Sequence, residues 1–179
     1  MSGNTNALTK LKKNQTIPFI GIGTDTWARI GKSTIFDLSF NPNVKTSNYI
    51  GDEMPTDEVD YYAPKLPQEL ATYKGDPAFD YIYDMAYNLP TGRDLIKPVL
   101  LVFGGNAGTE EDPAKAWLVD ATVILNNLNT VDEKILFDLN FGGNIKRGTV
   151  IITDGKPAFT ENTSVETNAA STTTTQTEE

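Results

Sequence analysis

The residues best suited to chemistry in this chain are acidic, and they lie close together in one segment. They are Asp52, Glu53, Asp57, Glu58 and Asp60. Carboxylates at this density suit either calcium binding or the acid and base of a glycosidase. The segment has no D-x-[DN]-x-[DN]-G calcium loop, however, and it is too polar to provide the buried site that a glycosidase acid requires. A run of charges is most often a solvated surface, so we predict a long exposed loop here.

Two glycine-containing motifs resemble nucleotide-binding loops. The tetrapeptide GKST at 31–34 matches the end of a phosphate-binding loop, but Thr26 occupies the position of the first glycine, and strand-like residues follow where a helix is required. The run GGNAG at 104–108 follows a strand, yet it lacks the spacing of a dinucleotide fingerprint and leads into three acidic residues at 110–112. We interpret both motifs as surface loops.

The composition excludes most catalytic chemistry. The chain has 179 residues and contains neither cysteine nor histidine, so it offers no thiol nucleophile, no imidazole base and no zinc ligand of either type. We therefore predict no catalytic residues, no cofactor and no metal site. An enzyme that uses carboxylates alone stays open as a minor alternative.

The charge balance bears on the partners of the protein. Fifteen basic residues against 24 acidic ones give a net charge of −9, which repels nucleic acid and anionic membranes. The N-terminal residues have no apolar signal-peptide core, and no apolar run reaches the length of about 18 residues that a membrane span needs. We expect a cytoplasmic chain without a membrane anchor.

Alternation of apolar and polar residues predicts a mainly β protein. Segments 117–126 and 135–141 alternate strictly and are joined by a short turn-rich connection, so we predict adjacent antiparallel strands. A third strand at 145–153, after Gly142 and Gly143, would complete a meander. Segments 36–40, 65–73 and 99–103 add further strands. The total is about seven or eight strands.

One helix interrupts this pattern. Asp76 can cap its N-terminus, Pro77 fits the first helical position, and Pro90 ends it. An apolar stripe of Phe79, Ile82, Tyr83, Ala86 and Leu89 predicts that the helix packs across a sheet.

The two ends of the chain differ in composition from its centre. Residues 1–14 are poor in apolar side chains and carry Lys10, Lys12 and Lys13, which predicts a flexible basic arm. Residues 160–179 are polar and rich in threonine, which predicts a disordered tail. The β domain is therefore expected to span 15–159.

Aromatic residues flank the acidic segment, and this pattern is typical of a protein interface. We predict a subunit contact formed by Tyr49, Ile50, Asp52, Glu53, Asp57, Glu58, Tyr61 and Tyr62.

The order of these segments resembles that of the major tail tube proteins of long-tailed bacteriophages. The resemblance covers about Thr16 to Thr153 and rests on WARI at 27–30, FDLSFNP at 36–42, YIGDE at 49–53, GDPAFD at 75–80 and KAW at 115–117, followed by the strand to Asn140 and the turn region at 142–148.

This resemblance implies a fold, an assembly and a set of partners. The fold is an antiparallel β-sandwich or barrel with one flanking helix, a fold that type VI secretion tubes share. Such subunits form hexameric rings that stack into a tube, a passive conduit for genome ejection, so the chain would be a non-enzymatic virion protein assembled in the host cytoplasm. The implied partners are other copies of the chain, a tape-measure protein and a tail terminator protein. DNA would pass through without specific binding.

Three further expectations concern the assembled tube. Asp37, Asp120 and Asp138 lie on the polar faces of predicted strands and are candidates to line an acidic lumen, although they could equally coat the outer surface. The basic arm is expected to contact the acidic segment of the next ring. The alternative is an adhesin-like or carbohydrate-binding β-sandwich, in which Trp27 or Trp117 would stack on a sugar.

Overall fold

The computed structural model describes residues 10–104 and 108–162, which form a mainly antiparallel β structure with one α-helix. The strands are β1 (Ile17–Gly23), β2 (Thr26–Arg29), β3 (Pro42–Ser47), β4 (Thr56–Tyr62), β5 (Lys65–Ala71), β6 (Ile96–Phe103), β7 (Ala114–Asn129), β8 (Lys134–Thr153) and β9 (Lys156–Glu161). The helix α1 spans Pro77–Asn88, and single 3-10 turns lie at Lys13–Gln15 and Gly92–Leu95. The predicted fold class is confirmed.

Seven of these strands form one sheet that nearly closes as a barrel. Its order is β2-β1-β6-β7-β8-β5, and β9 pairs with the distal half of β8. The predicted antiparallel pairing of segments 117–126 and 135–141 is confirmed within β7 and β8. The predicted meander is wrong, because β8 continues through Gly142 and Gly143 as one strand and both of its halves pair with β7.

The sheet buries apolar side chains on both of its faces. Along β6, Val99 and Leu101 belong to one core cluster, whereas Leu100 and Val102 belong to another. Successive strand residues point to opposite faces, so this central strand is buried on both sides. The first cluster also contains Phe137 and Leu139 together with the buried face of α1, and the second contains Phe19, Ala116 and Val150.

The helix begins as its sequence predicts. Asp76 accepts hydrogen bonds at its Oδ1 from the backbone N–H groups of Ala78 and Phe79, at 3.1 and 3.0 Å. Phe79 and Ile82 are buried against the sheet, whereas Tyr83 is 47% exposed. The last predicted member of the stripe, Leu89, caps the helix in a left-handed conformation and is 70% exposed. The stripe therefore buries its N-terminal part and leaves its C-terminal part open.

Two local predictions between β2 and β5 are wrong. The region from 42 to 62 is a two-stranded β-hairpin of β3 and β4 and not a long loop. Residues 36–40 form no strand; they are an extended connection with one isolated bridge, between Ser39 and Lys65. Their alternation has another cause: Leu38 packs against the first core cluster, and the Phe40 ring meets the Trp117 ring edge-on at 6.4 Å.

Candidate assembly interface

The hairpin of β3 and β4 stands apart from the body of the protein. No residue from 41 to 63 is buried, and all of them except Ser47, which is half-buried, are exposed. Its strands form a separate two-stranded sheet and pair only with each other. An isolated hairpin of two strands is marginally stable in water, so this element is expected to gain stability from a further surface.

Hydrogen bonds at the base join the two ends of the hairpin. The Ala63 backbone N–H donates to the Asn41 carbonyl at 3.2 Å, and the Asn41 side-chain amide donates to the Ala63 carbonyl at 3.1 Å. Asn41 holds this position with a positive φ of 43°, a conformation that asparagine tolerates better than most residues. The hairpin therefore leaves the body at one fixed pair of residues.

Large apolar side chains are exposed along the hairpin. Val44 lies opposite Val59, and both are about half exposed, at 50% and 48%. Other exposed members are Tyr49, Ile50, Met54, Tyr61 and Tyr62. Exposed apolar groups that cluster in this way mark interaction surfaces.

Acidic residues share this surface. All eight predicted interface residues, from Tyr49 to Tyr62, lie on the hairpin and are exposed. Thr46 donates a hydrogen bond to Asp57 at 2.6 Å across the two strands, and Lys45 lies opposite Glu58. Lys45 is the single basic residue between 41 and 63, so the hairpin presents a mixed acidic and apolar surface. The subunit contact itself stays a prediction.

Two of the three predicted lumen residues share one face of the large sheet. Asp120 on β7 lies opposite Gly142 on β8, and Asp138 is four residues from Gly142 along the same strand. Residues directly opposite share a face, as do residues separated by an even number of positions. Their odd-numbered neighbours, such as Ala121 and Phe137, belong to the cluster that contains α1. Asp120 and Asp138 therefore lie on the sheet face directed away from the helix.

The surroundings of these two carboxylates differ. Asp120 is exposed, whereas Asp138 accepts hydrogen bonds from Asn126 at 3.0 Å and pairs with Lys65 at 2.9 Å. Burial of the Asp138 carboxyl acts to raise its pKa, but the hydrogen bonds from Asn126 and Lys65 outweigh burial and hold the pKa below its ordinary value. Asp138 is therefore an ionised carboxylate paired with Lys65, whereas the Asp120 carboxylate is exposed.

A second ion pair lies on β5 and β8. Lys134 donates to Glu69 at 2.8 Å, and Thr34 donates to the same carboxylate at 3.1 Å. These hydrogen bonds, with that of Lys134 the larger cause, lower the pKa of Glu69.

The remaining predicted residues lie elsewhere. Asp37 is exposed on the connection between β2 and β3, so the prediction that it lies on a strand is wrong. Lys10 and Lys12 are exposed ahead of the 3-10 turn that contains Lys13. Residues 1–9 and the tail from 163 onward lie outside the described residues, and so does most of the predicted loop at 104–108.

The GKST segment and the two tryptophans, which the sequence offered as alternative binding sites, make contacts within the fold. The GKST segment crosses from the end of β2 to β5. There the Thr34 N–H donates to the Glu69 carbonyl at 2.9 Å, and the Ala71 N–H donates to the Lys32 carbonyl at 3.1 Å. Trp117 packs edge-on against Phe103 at 4.7 Å, and Trp27 is half-buried against the second core cluster. Both tryptophans therefore contribute to packing.

Within residues 10–104 and 108–162 no cluster of carboxylates has the geometry to hold a metal ion. Over the same ranges, no helix has the length and apolar character that crossing a membrane requires.

An apolar groove at one end of the molecule was not predicted from the sequence. It has a volume of about 320 Å³ and lies between the C-terminal half of α1 and the ends of β7 and β8 that meet at their turn. Its main lining residues are Tyr83, Tyr87, Leu89, Leu125, Leu128 and Ile135. The sequence signal for this groove is the C-terminal part of the helix stripe. Tyr83 and Leu89 were predicted to pack across the sheet, but both are exposed.

Comparisons with known proteins give structural matches only. No protein-family model matches the chain, and no curated protein matches it in sequence. The structure is similar to a chain of the anti-feeding prophage baseplate, with 9% identity and a TM-score of 0.44 over 78% of this chain and 96% of that one. It is also similar to a chain of the anti-feeding prophage tube-terminating cap, with 14% identity and a TM-score of 0.46 over 83% of this chain and 99% of that one.

Proposed function

We propose that this protein is a structural subunit that assembles with copies of itself into stacked rings, which form the tube of a phage tail. The observation that carries the proposal is the hairpin of β3 and β4, whose apolar and acidic side chains are exposed together on an element that buries none of its own residues. A second copy is the partner that the sequence resemblance to tail tube proteins implies.

The sheet edges support self-assembly. Among the described strands, β2 pairs only with β1 and β9 pairs only with β8, so each has one backbone edge without a strand partner. An open edge that pairs with another copy is protected from uncontrolled aggregation, and a heterologous contact that closes into a ring fixes the subunit number. The value of six comes from the resemblance alone.

In such a tube, the face that carries Asp120 and Asp138 would line the lumen. Negative charge there keeps DNA from sticking to the wall while it passes. Since Asp138 is paired with Lys65 and Asp120 is exposed, Asp120 is the better position to test. Unchanged DNA delivery by particles that carry Asp120→Lys would exclude a lumen position for this residue.

The tape-measure and tail terminator partners, the virion location and the role in genome ejection complete the proposal. They follow from the resemblance and need an assembled particle for their test.

Removal of the hairpin tests the proposal directly. Asn41 and Ala63 are hydrogen bonded to each other, so a two-residue Asn-Gly turn can replace residues 42–62 without moving the chain ends. We expect a folded monomer that forms neither rings nor tubes, as measured by sedimentation velocity and circular dichroism. Normal assembly of this variant would refute the role of the hairpin.

A further inference from the structure

We propose that the groove between α1, β7 and β8 is the acceptor for the segment Lys10–Lys12 of a second copy of this chain. The inference rests on the self-assembly proposed above and names a second contact for it, one that joins opposite ends of two molecules.

The groove offers an unfilled apolar surface. Tyr87 is 82% exposed, Leu89 is 70% exposed and Leu128 is 40% exposed, although all three line a concave site of about 320 Å³. None of its ten lining residues is charged. A site of this size accommodates one or two aliphatic side chains, and Leu11 is an exposed leucine of the arm, at 57%.

Charge complementarity selects the arm as the occupant. The residues next to the groove in sequence include Asp84 on α1 and the pair Asp132 and Glu133 in the turn between β7 and β8. Lys134, the first residue of β8 after that turn, is already bound to Glu69 at 2.8 Å. An apolar groove whose lining residues have carboxylates as close sequence neighbours fits a leucine that has a lysine on each side, as Lys10-Leu11-Lys12 does.

The positions of the two surfaces require two molecules. Gln15 lies against Gly104, next to the row of Ile17, Val102 and Ala116 at one end of the sheet. Leu128 in the groove is twelve residues further along β7, which corresponds to about 40 Å of strand. Leu11 precedes Gln15 by four residues, which span at most about 14 Å. The arm therefore cannot reach the groove of its own chain.

This contact would propagate along one direction. It joins unlike surfaces at opposite ends of the molecule, and such a heterologous contact extends from copy to copy when it does not close. It therefore suits the stacking of one ring on the next. The acidic hairpin of the next copy is the other acceptor to consider for the arm. The hairpin itself is a poor occupant of the groove, because Asp52 and Glu53 at its tip would add negative charge beside a segment that already contains Asp132 and Glu133.

Disulfide cross-linking tests the proposal, since the chain contains no cysteine of its own. Chains carrying Leu11→Cys are mixed with chains carrying Leu128→Cys and oxidised, and linked peptides are identified by mass spectrometry. The matched control acceptors are Val44→Cys on the hairpin and Lys115→Cys at the opposite end of β7. All of these positions are exposed, so each variant is expected to fold.

We expect the linkage between positions 11 and 128 to predominate and to be lost when Leu89→Glu is added to the acceptor chain. Assembled particles that link position 11 to position 44 or 115 instead, or that show no linkage at position 128, would overturn the groove contact and leave the tube proposal standing. If the wild-type chain stays monomeric and the mixed Leu11→Cys and Leu128→Cys chains still give the 11–128 linkage, the result would contradict the tube and support the groove. Monomers without this linkage would overturn both.

Discussion

The Lys65 ammonium lies 2.9 Å from the Asp138 carboxylate and joins β5 to β8 on the sheet face directed away from α1. The Asp138 side chain is only 15% exposed, and Asn126 donates to the same oxygen. A carboxylate held in this way stabilises the edge of the barrel at which β5 ends the sheet.

Substitution Asp138→Asn is expected to lower the free energy of unfolding by roughly 1 to 2 kcal/mol at neutral pH, because it removes a hydrogen-bonded charge pair. The folded pKa of Asp138 is lower than the ordinary value of about 3.9, so its contribution is present above that value and is lost as the pH falls through the folded pKa. Urea unfolding at neutral pH and at a pH of about 3 should therefore show a difference that shrinks in acid.

The exposed Asp120→Asn on the same sheet face is the control, and its unfolding free energy should change by less than about 0.5 kcal/mol. An equal effect of both substitutions at neutral pH would contradict the special role of the pair.

The cap of α1 gives a second prediction. Asp76→Ala removes an acceptor that both Ala78 and Phe79 use, and should lower the free energy of unfolding by about 1 kcal/mol. Asp76→Asn, which keeps an oxygen at the same position, should lower it much less. Chemical denaturation of the three chains measures the difference, and equal stability of the Ala and Asn variants would exclude the cap as the cause.

Two glycines of β8 give a matched pair of substitutions. A methyl group on Gly148 would overlap the Thr160 carbonyl oxygen and the Phe159 ring of β9, whereas a methyl group on Gly142 would meet no atom within 4 Å. Gly148→Ala should therefore cost about 1 to 3 kcal/mol and loosen β9, and Gly142→Ala should be nearly neutral. Urea unfolding gives the stability, and limited proteolysis near Lys156 reports on β9. Unchanged protection of β9 in Gly148→Ala would argue against this close packing.

Charge reversal of the hairpin gives a fourth prediction. Asp52→Lys with Glu53→Lys, extended to Asp57 and Glu58, should leave the monomer folded because these side chains are exposed, and should stop assembly because the subunit contact loses its charge pattern. The matched control for the first two substitutions is Glu110→Lys with Glu111→Lys, because these two residues are also exposed and consecutive in sequence. Sedimentation velocity should show monomers for the hairpin variants and assemblies for the control, and intact tubes from a hairpin variant would disprove the contact.

Local signals made part of the fold predictable. The cap and first turn of α1 depend on residues that are neighbours in sequence, and Asp76 and Pro77 specify them almost completely. The alternation in β7 and β8 was equally readable, because each strand has one face in the first core cluster.

The hairpin could not be predicted in the same way, because periodicity reports burial and none of its residues is buried. Conversely, the alternation at 36–40 reflects the packing of Leu38 and Phe40 against the body without any ladder of hydrogen bonds. The groove depends on which end of the helix stripe the sheet covers, and that is a property of tertiary packing.

Electron microscopy of the purified wild-type chain tests the central claim most directly. The account predicts rings with a central channel that stack into tubes, with the hairpin of β3 and β4 ordered between subunits. A population of single folded chains at every protein concentration, with no rings, would contradict it.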